Sequence, residues 1–333
     1  MKNNRILLVL VVALTVVVSY FWFTRSSKTF RGELSDFAVP DTAAVDKLFL
    51  ADKNGHSALL ERKGPGVWTI GEFVARQDAV NGLLFTLKKM KMRAPVAKSM
   101  EQNVLRDLAG NNQRKIEIYS RGRLLKTIFV GLETPDKMGT FMLIDGSSVP
   151  FDVHIPGHRG FLQTRFITDA RLWRDPALFK YDYRDIASIS VKYNETPVNS
   201  FEIRTNGRNP QLYVEGKPAA ADSITLFQYM NEFRNVVYEY IVTESFPEAT
   251  KDSILSSRPW VEVKVTDRKG KSTLVQGFHR AAADEVLDSK GEKMLYDPDR
   301  MYALLNGKDF LLVQFYQFDR LLKQPGYFVK GSK

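Results

Sequence analysis

The chain has 333 residues, of which 44% are apolar and 26% are charged, so we expect a packed globular body of up to two ordinary domains. It has no cysteine, which excludes disulfides, thiolate chemistry, cysteine-based zinc sites and a lipid-modified cysteine after an apolar leader. The formal net charge is +10, but we expect no nucleic-acid binding, because the basic residues are spread along the chain without a recognition motif.

The chain begins with an apolar leader that predicts a membrane anchor. Lys2 and Arg5 precede an uncharged stretch at residues 6–23, which would span roughly 27 Å as a helix. It ends in bulky residues, Tyr20 to Phe23, rather than in the small-residue cleavage site of a signal peptide. The short basic N-terminus places the body on the periplasmic side of a bacterial cytoplasmic (inner) membrane. We therefore predict a cytoplasmic tail at residues 1–5, a single retained anchor at 6–23 and a juxtamembrane segment at 24–44.

The first half of the body shows two strand patterns, a helix pattern and a hairpin pattern. Alternating apolar residues predict strands in VDKLFLAD (45–52) and SALLERK (57–63). The segment KIEIYSRGRLLKTIFVG (115–131) predicts a hairpin that turns at Gly122. The helix is predicted from residues at helical spacing, namely Val80, Leu83, Leu84, Leu87 and Met90, with a cationic end at Lys88, Lys89, Lys91 and Arg93.

The same order of patterns recurs in the second half. Strands are predicted in IASISVKY (186–193) and SFEIRTN (200–206), and a hairpin in WVEVKVTDRKGKSTLVQGF (260–278). After the hairpins, FMLIDG (141–146) resembles KMLYDP (293–298). The second helix is predicted from an apolar stripe of Ile224, Phe227, Met230 and Val237.

These matches predict an internal duplication. We expect an α+β fold with mainly antiparallel sheets, built from two tandem copies of a strand-strand-helix-hairpin unit after the transmembrane helix. The copies are placed at residues 45–165 and 186–322, joined by a packed connector at 166–185 and followed by a C-terminal tail at 323–333.

Several segments resemble a known family in their order and spacing. They are FRGELSDFAVPDTAAVDKLFLADKNGHSALLERKGPGVWTI, ARQDAVNGLLFTLKKMKMRAPV, PFDVHIPGHRGFLQTRF and LWRDPALFKYDYRDIASISVKY. They are similar to membrane-anchored proteins that carry domain of unknown function 4340, a type associated with Bacteroidota. Relatives of the domain occur in a gliding-motility-associated ABC transporter component, which implies an accessory role beside a membrane complex outside the cytoplasm. The chain differs from that component in its single anchor, and the resemblance implies no catalytic residues.

One candidate binding loop stands out in PFDVHIPGHRG. Asp152, His154 and His158 are residue types that bind metals, but a Pro-Gly break lies between the two histidines, so we expect a structural loop rather than a metal site. The turns of this segment have no counterpart in the second half. We therefore regard Asp152, His154, His158 and Arg159 as a candidate binding loop specialised to one copy.

The other motifs do not meet the requirements of their chemistry. RKGKST (268–273) ends like a phosphate-binding loop, but Val265 stands where that loop needs glycine, and a hairpin replaces the required helix. None of the four histidines lies near a G-x-S-x-G nucleophile elbow. We therefore expect no catalytic residue, no cofactor and no resident metal.

The function expected from the sequence is a non-enzymatic binding or scaffold protein of an envelope assembly, with a membrane-protein partner and a role accessory to an ABC-transporter-like complex. Its contact with the membrane is expected through residues 6–23. Two alternatives remain open at this point. One is an envelope hydrolase that acts on glycan or peptide, and the other is a periplasmic ligand-binding module that serves a transporter.

Overall fold

The computed structural model describes residues 35–110, 113–207, 209–243, 245–283, 286–287 and 290–329. The predicted cytoplasmic tail, the predicted anchor and residues 24–34 of the juxtamembrane segment lie outside these ranges. Among the described helices, none combines the length and the apolar character that crossing a membrane requires. The chain divides between Asp175 and Pro176 into two compact units, here called the first unit and the second unit.

The first unit is built on a nine-stranded antiparallel sheet. Its strands are β1 (Val45–Asp52), β2 (Ser57–Gly64), β3 (Val67–Ile70), β4 (Phe73–Val74), β5 (Lys91–Pro95), β6 (Arg114–Ser120), β7 (Arg123–Glu133), β8 (Thr140–Ile144) and β9 (Phe151–His154). Their order across the sheet is β4-β3-β2-β1-β6-β7-β8-β9-β5. The described α-helices of this unit are α1 (Gln77–Lys89) and α2 (Lys98–Leu108).

The core of the first unit lies between this sheet and α1. β1 buries Leu48 and Leu50 by the twofold periodicity of a strand, and it also buries Val45, which a register shift against β6 separates from them. The predicted helical stripe packs against that face: Val80, Leu83, Leu87 and Met90 are buried, and Leu84 is partly buried against them. The predicted helix and the predicted hairpin at 115–131 are therefore present, the latter as β6 and β7.

The second unit is also built on a nine-stranded antiparallel sheet. The described strands of the whole unit, which include two outside this sheet, are β10 (Ala177–Phe179), β11 (Ile186–Tyr193), β12 (Phe201–Asn206), β13 (Asn209–Val214), β14 (Lys217–Ala219), β15 (Val236–Val237), β16 (Tyr240–Ile241), β17 (Val261–Asp267), β18 (Ser272–Phe278), β19 (Arg300–Leu305) and β20 (Asp309–Gln314). The order of the main sheet is β14-β13-β12-β11-β17-β18-β19-β20-β16, and β10 pairs separately with β15. The described α-helices are α3 (Ser223–Asn231), α4 (Glu248–Ser256) and α5 (Phe315–Phe318).

The predicted apolar stripe of the second helix is partly wrong. α3 buries Leu226, Tyr229 and Met230, whereas Ile224 is 67% exposed. The reason is aromatic packing: the ring of Tyr229 lies edge-on to Phe233 and Phe328, and its hydroxyl donates a hydrogen bond of 2.8 Å to the backbone of Leu321. Because of these contacts, the side of α3 that carries Leu226, Tyr229 and Met230 faces the core. Val237, the last member of the predicted stripe, lies on β15 instead of on the helix.

The two nine-stranded sheets have the same order of strands along the chain and across the sheet. The predicted hairpins are β6–β7 and β17–β18, and they occupy the same place in that order. The predicted match of FMLIDG with KMLYDP is wrong, because residues 141–146 include most of β8 whereas residues 293–298 precede β19, which occupies the place of β8. The mainly antiparallel α+β fold that the sequence predicts is confirmed.

Candidate functional site

Two members of the candidate binding loop lie on a strand. Asp152 and His154 belong to β9, where Asp152 pairs with Ala94 of β5 and Phe141 of β8. The expectation of a loop is therefore wrong for these two residues. It holds for the residues after Ile155, where the Pro-Gly break forms a turn in which Gly157 has φ +80° and the His158 N–H donates to the Ile155 carbonyl at 3.0 Å.

The Asp152 carboxylate is buried and bound to an arginine of the edge strand. Arg93, on β5, donates from Nε to Oδ2 of Asp152 at 2.6 Å. Its guanidinium also donates to Oδ2 of Asp136 at 2.8 Å, so one arginine links a buried and an exposed carboxylate. Arg93 is therefore not part of a cationic helix end as the sequence predicted, because α1 ends at Lys89.

A tight turn between β7 and β8 holds the second carboxylate of this network. The Thr134 hydroxyl donates to Oδ1 of Asp136 at 2.6 Å and accepts from the Gly139 N–H at 2.9 Å. The hydrogen bonds that Asp136 accepts from the Thr134 hydroxyl and the Met138 N–H, together with Arg93, lower its pKa to about 2. Burial raises the pKa of Asp152 despite the opposing effect of Arg93.

The remaining oxygen of Asp152 faces a glycine. Oδ1 is buried and has no hydrogen-bond partner within the described residues. A Cβ at position 139 would overlap this oxygen and lie 3.0 Å from Cγ of Asp152, so only glycine leaves room for the carboxylate there. The network of Arg93, Asp136 and Asp152 therefore fixes β5, β9 and the β7–β8 turn to one another. We interpret it as a structural element of the first unit.

The structure does not bring the four candidate residues together as a metal site. His158 is half-buried and Arg159 is exposed in the segment after β9. Within the part of the chain that the structure describes, no group of three or more histidine, aspartate or glutamate side chains is arranged to hold a metal ion. The GKS segment forms the β17–β18 turn, and the carboxylate of Asp267 accepts from the Lys269 and Lys271 amides at 2.9 Å each. In a phosphate-binding loop, backbone amides of this kind would bind the phosphate, whereas in this turn they are bound to Asp267.

The second unit contains a cluster of side chains that the sequence did not predict. The imidazole of His279 lies between two aromatic rings, with its centroid 3.8 Å from that of Tyr296 and 5.4 Å from that of Trp260. Both ring pairs are nearly parallel, with interplanar angles of 6° and 15°. Nε2 of His279 lies 2.9 Å from Oε1 of Glu195. We call Glu195, Trp260, His279 and Tyr296 the stacked cluster.

The stacked cluster supports the long connection between β18 and β19, which we call the excursion (residues 279–299). Arg280 forms an ion pair with Asp297, and Asp297 accepts from the backbone amides of Asp299 and Arg300 at 2.8 and 3.0 Å. These contacts close the base of the excursion. Beyond that base it displays apolar side chains to solvent, because Leu295 is 73% and Leu287 is 54% exposed.

Sequence reasoning missed the stacked cluster because its members come from separate segments. Glu195 follows β11, Trp260 precedes β17, and His279 and Tyr296 lie at the two ends of the excursion. The length of the connection between the second hairpin and the next strand was the available signal. The mistaken match of KMLYDP with FMLIDG hid it, since it aligned the returning half of the excursion with residues 141–146, which include most of β8.

A comparison with protein families shows which of these residues lie within a known domain. The sequence profile described as "Domain of unknown function (DUF4340)" matches residues 68–257, which is more than half of the chain. The chain belongs to the DUF4340 family. The DUF4340 match includes Arg93, Asp136, Asp152 and Glu195, and it ends before Trp260, so most of the stacked cluster lies beyond it. No curated protein and no solved structure matches the chain.

Proposed function

We propose that this chain is a single-pass, membrane-anchored protein whose body lies on the periplasmic side of the inner membrane. The body acts there as a binding or scaffold protein of an envelope assembly, without catalysis, and its partner is a membrane protein. The observation that carries the binding role is the excursion, which displays Leu287, Leu295 and Tyr296 on a base closed by the stacked cluster. The anchor is supported by the uncharged leader at residues 6–23.

The excursion combines the two properties that a protein-binding surface needs. Exposed apolar side chains gain free energy when a partner covers them, and an exposed aromatic residue such as Tyr296 adds contact area. A surface that is already ordered loses little conformational entropy on binding. The Arg280–Asp297 ion pair and the stack of His279 on Tyr296 hold the base of the excursion in place in the free chain.

We also infer that the two units arose by duplication and that the excursion was added to the second copy. The inference is supported by the equal strand order of the two sheets. The connection after β7 reaches β8 within a tight turn, whereas the corresponding connection after β18 contains the whole excursion. A Bacteroidota origin and a role beside an ABC-transporter-like complex remain proposals that rest on the resemblance of the sequence alone.

The binding role is tested by crosslinking in the native membrane. A photoreactive amino acid is placed at Leu295 and, as a matched control, at Val198, which is 71% exposed on a short turn of the same unit. We expect a discrete adduct with a membrane protein from position 295 and none from position 198. Equal adduct patterns from the two positions, or none from position 295, would contradict the proposed binding surface.

One observation favours the hydrolase alternative. The Glu195 carboxylate orients His279 through its Nε2, as a carboxylate orients an imidazole that acts as a general base. A hydrolase would release soluble fragments from peptidoglycan or from a mixture of envelope peptides, and His279→Gln would abolish that release. The scaffold proposal expects no release by the unmodified full-length chain, so a His279-dependent product would replace it.

A further inference from the structure

The tip of the β6–β7 hairpin is a rigid, two-residue turn. Tyr119 pairs with Leu124 and Ser120 with Arg123, which leaves Arg121 and Gly122 as the turn residues. Both have positive φ, +51° and +73°, as a type I′ turn requires. The Gly122 N–H donates to Oδ2 of Asp46 at 2.7 Å, so a carboxylate at the start of β1 holds the turn in place.

The tip displays two leucines and two arginines to solvent. Leu124 is 55% and Leu125 is 53% exposed, and Arg121 and Arg123 beside them are also exposed. The register of β6 with β7 shifts between Ile118 and Tyr119, so Leu125 is the extra residue of a β-bulge beside Leu124. The two leucines remain uncovered because β8 begins to pair with β7 only at Ile128, beyond the tip.

The described chain enters the first unit beside this tip. Phe37 and Val39 are buried in the core, and Nζ of Lys126 donates to the carbonyl of Ala38 at 2.9 Å and also to that of Asp36. Lys126 is two residues from Leu124 on β7, a separation of roughly 7 Å along a strand. The entry point of the chain and the exposed leucines are therefore held together by the fold.

The proposed anchor at residues 6–23 would keep the entry point of the chain, and the hairpin tip beside it, close to the membrane. The segment from the end of the anchor to Asp36 can extend to at most about 45 Å, which keeps the entry point within that distance of the bilayer. A short tether of this kind makes a second, weak contact with the same bilayer effectively intramolecular. The hairpin tip is an exposed apolar element that adjoins the entry point.

We propose that the β6–β7 tip docks on the lipid bilayer. Leu124 and Leu125 enter the interfacial region, and the guanidinium groups of Arg121 and Arg123 bind the phosphates of anionic lipids. The proposal rests on the proposed membrane anchoring and commits to lipid, rather than protein, as the occupant. Exposed leucines flanked by arginines match the apolar interior and anionic surface of a bilayer.

The corresponding hairpin of the second unit is a built-in control. The tip between β17 and β18 is also basic, but its exposed residues are Arg268, Lys269, Gly270, Lys271 and Ser272, none of which is apolar and bulky. Arg268 is engaged with the carbonyls of Arg184 and Gly207 at 2.6 and 2.7 Å. The two tips therefore share charge and position in the strand order, and they differ in the exposed leucine pair.

The absence of cysteine in the chain allows a single probe to be placed at will. The full-length protein carrying Leu124→Cys or, as the control, Ser272→Cys is labelled with an environment-sensitive fluorophore. Each is reconstituted in vesicles of phosphatidylethanolamine and phosphatidylglycerol that contain a headgroup-proximal nitroxide lipid. We expect a blue-shifted emission and at least about threefold stronger quenching at position 124 than at 272, reduced by Arg123→Glu.

The outcomes separate this proposal from the anchoring on which it rests. Carbonate extraction of the same vesicles reports anchoring, because a spanning helix resists it. If the protein resists extraction while the two probes are quenched equally, the docking proposal is wrong and the anchor stands. A blue shift at position 124 without nitroxide quenching would show that protein covers the tip, which also overturns lipid docking. Release of the protein by carbonate would instead refute the anchor.

Discussion

Gly139→Ala is expected to destabilise the first unit strongly, because the new methyl group would displace a buried carboxylate. The Cβ would overlap Oδ1 of Asp152 and lie 3.0 Å from its Cγ and 3.3 Å from the carbonyl oxygen of Val153. Overpacking of this kind costs about 1–3 kcal/mol. Displacing Asp152 also removes its charged hydrogen bond with Arg93, which is worth about 1.5–3 kcal/mol before solvent screening. Solvent screening reduces the second contribution, because Arg93 is partly exposed, so we expect a total loss of about 2–5 kcal/mol in the free energy of unfolding.

The assay is hydrogen exchange measured by mass spectrometry on peptides from β8 and β9, which reports the opening free energy of the first unit separately from the second. Gly82→Ala in α1 is the matched control. A Cβ at position 82 would have no heavy atom within 4 Å, so that variant should gain about 0.5–1 kcal/mol from helix propensity.

A double substitution isolates the cause. In an Asp152→Ala background the carboxylate is gone, and Gly139→Ala should then cost less than about 1 kcal/mol. The reasoning is refuted if Gly139→Ala alone costs less than about 0.5 kcal/mol, the level of an ordinary surface substitution. It is also refuted if the cost is the same with and without Asp152.

Three further predictions concern packing, pH and the stacked cluster. Leu83→Ala should cost about 2–5 kcal/mol in urea unfolding and Ile224→Ala less than about 0.5, and the reverse ranking would mean that the helix faces are misassigned. The folded-state pKa of Asp136 is lowered to about 2, so its contribution to stability is present above its unfolded-state pKa and is lost as the pH falls toward 2. Asp136→Asn should flatten the pH dependence of unfolding there, and an unchanged slope would exclude the network as its source. Tyr296→Ala should speed hydrogen exchange at His279 and weaken crosslinking from Leu295, and unaltered values for both would separate the ring stack from the binding surface.

The parts of the fold that the sequence predicted are those fixed by local periodicity. β1, α1 and the two hairpins each present a run of apolar residues at strand or helix spacing, so a short window of sequence contains their signal. The face of α3 was misjudged because it depends on the ring of Tyr229, whose partners Phe233 and Phe328 lie in later segments. Hydrophobicity alone therefore predicted Ile224 as a core residue, although it is 67% exposed.

The candidate site depends on contacts between distant segments, which a single sequence does not display. Arg93 and Asp152 are 59 residues apart, and their pairing follows from β5 lying beside β9 at the sheet edge. Local reading assigned Arg93 to a helix end and Asp152 to a loop, and both residues are on strands. The stack of His279 on Tyr296 likewise requires the excursion to return to its starting point.

Protease treatment of intact spheroplasts tests the central claim of membrane anchoring with an outward body most directly. The full-length chain is followed with an antibody against the second unit and with a tag at the N-terminus. The account predicts that external protease destroys the body while a short tagged fragment stays in the membrane and resists carbonate. A body that survives until detergent is added would contradict the topology. A body recovered intact in the soluble fraction, starting near residue 25, would contradict the anchor itself.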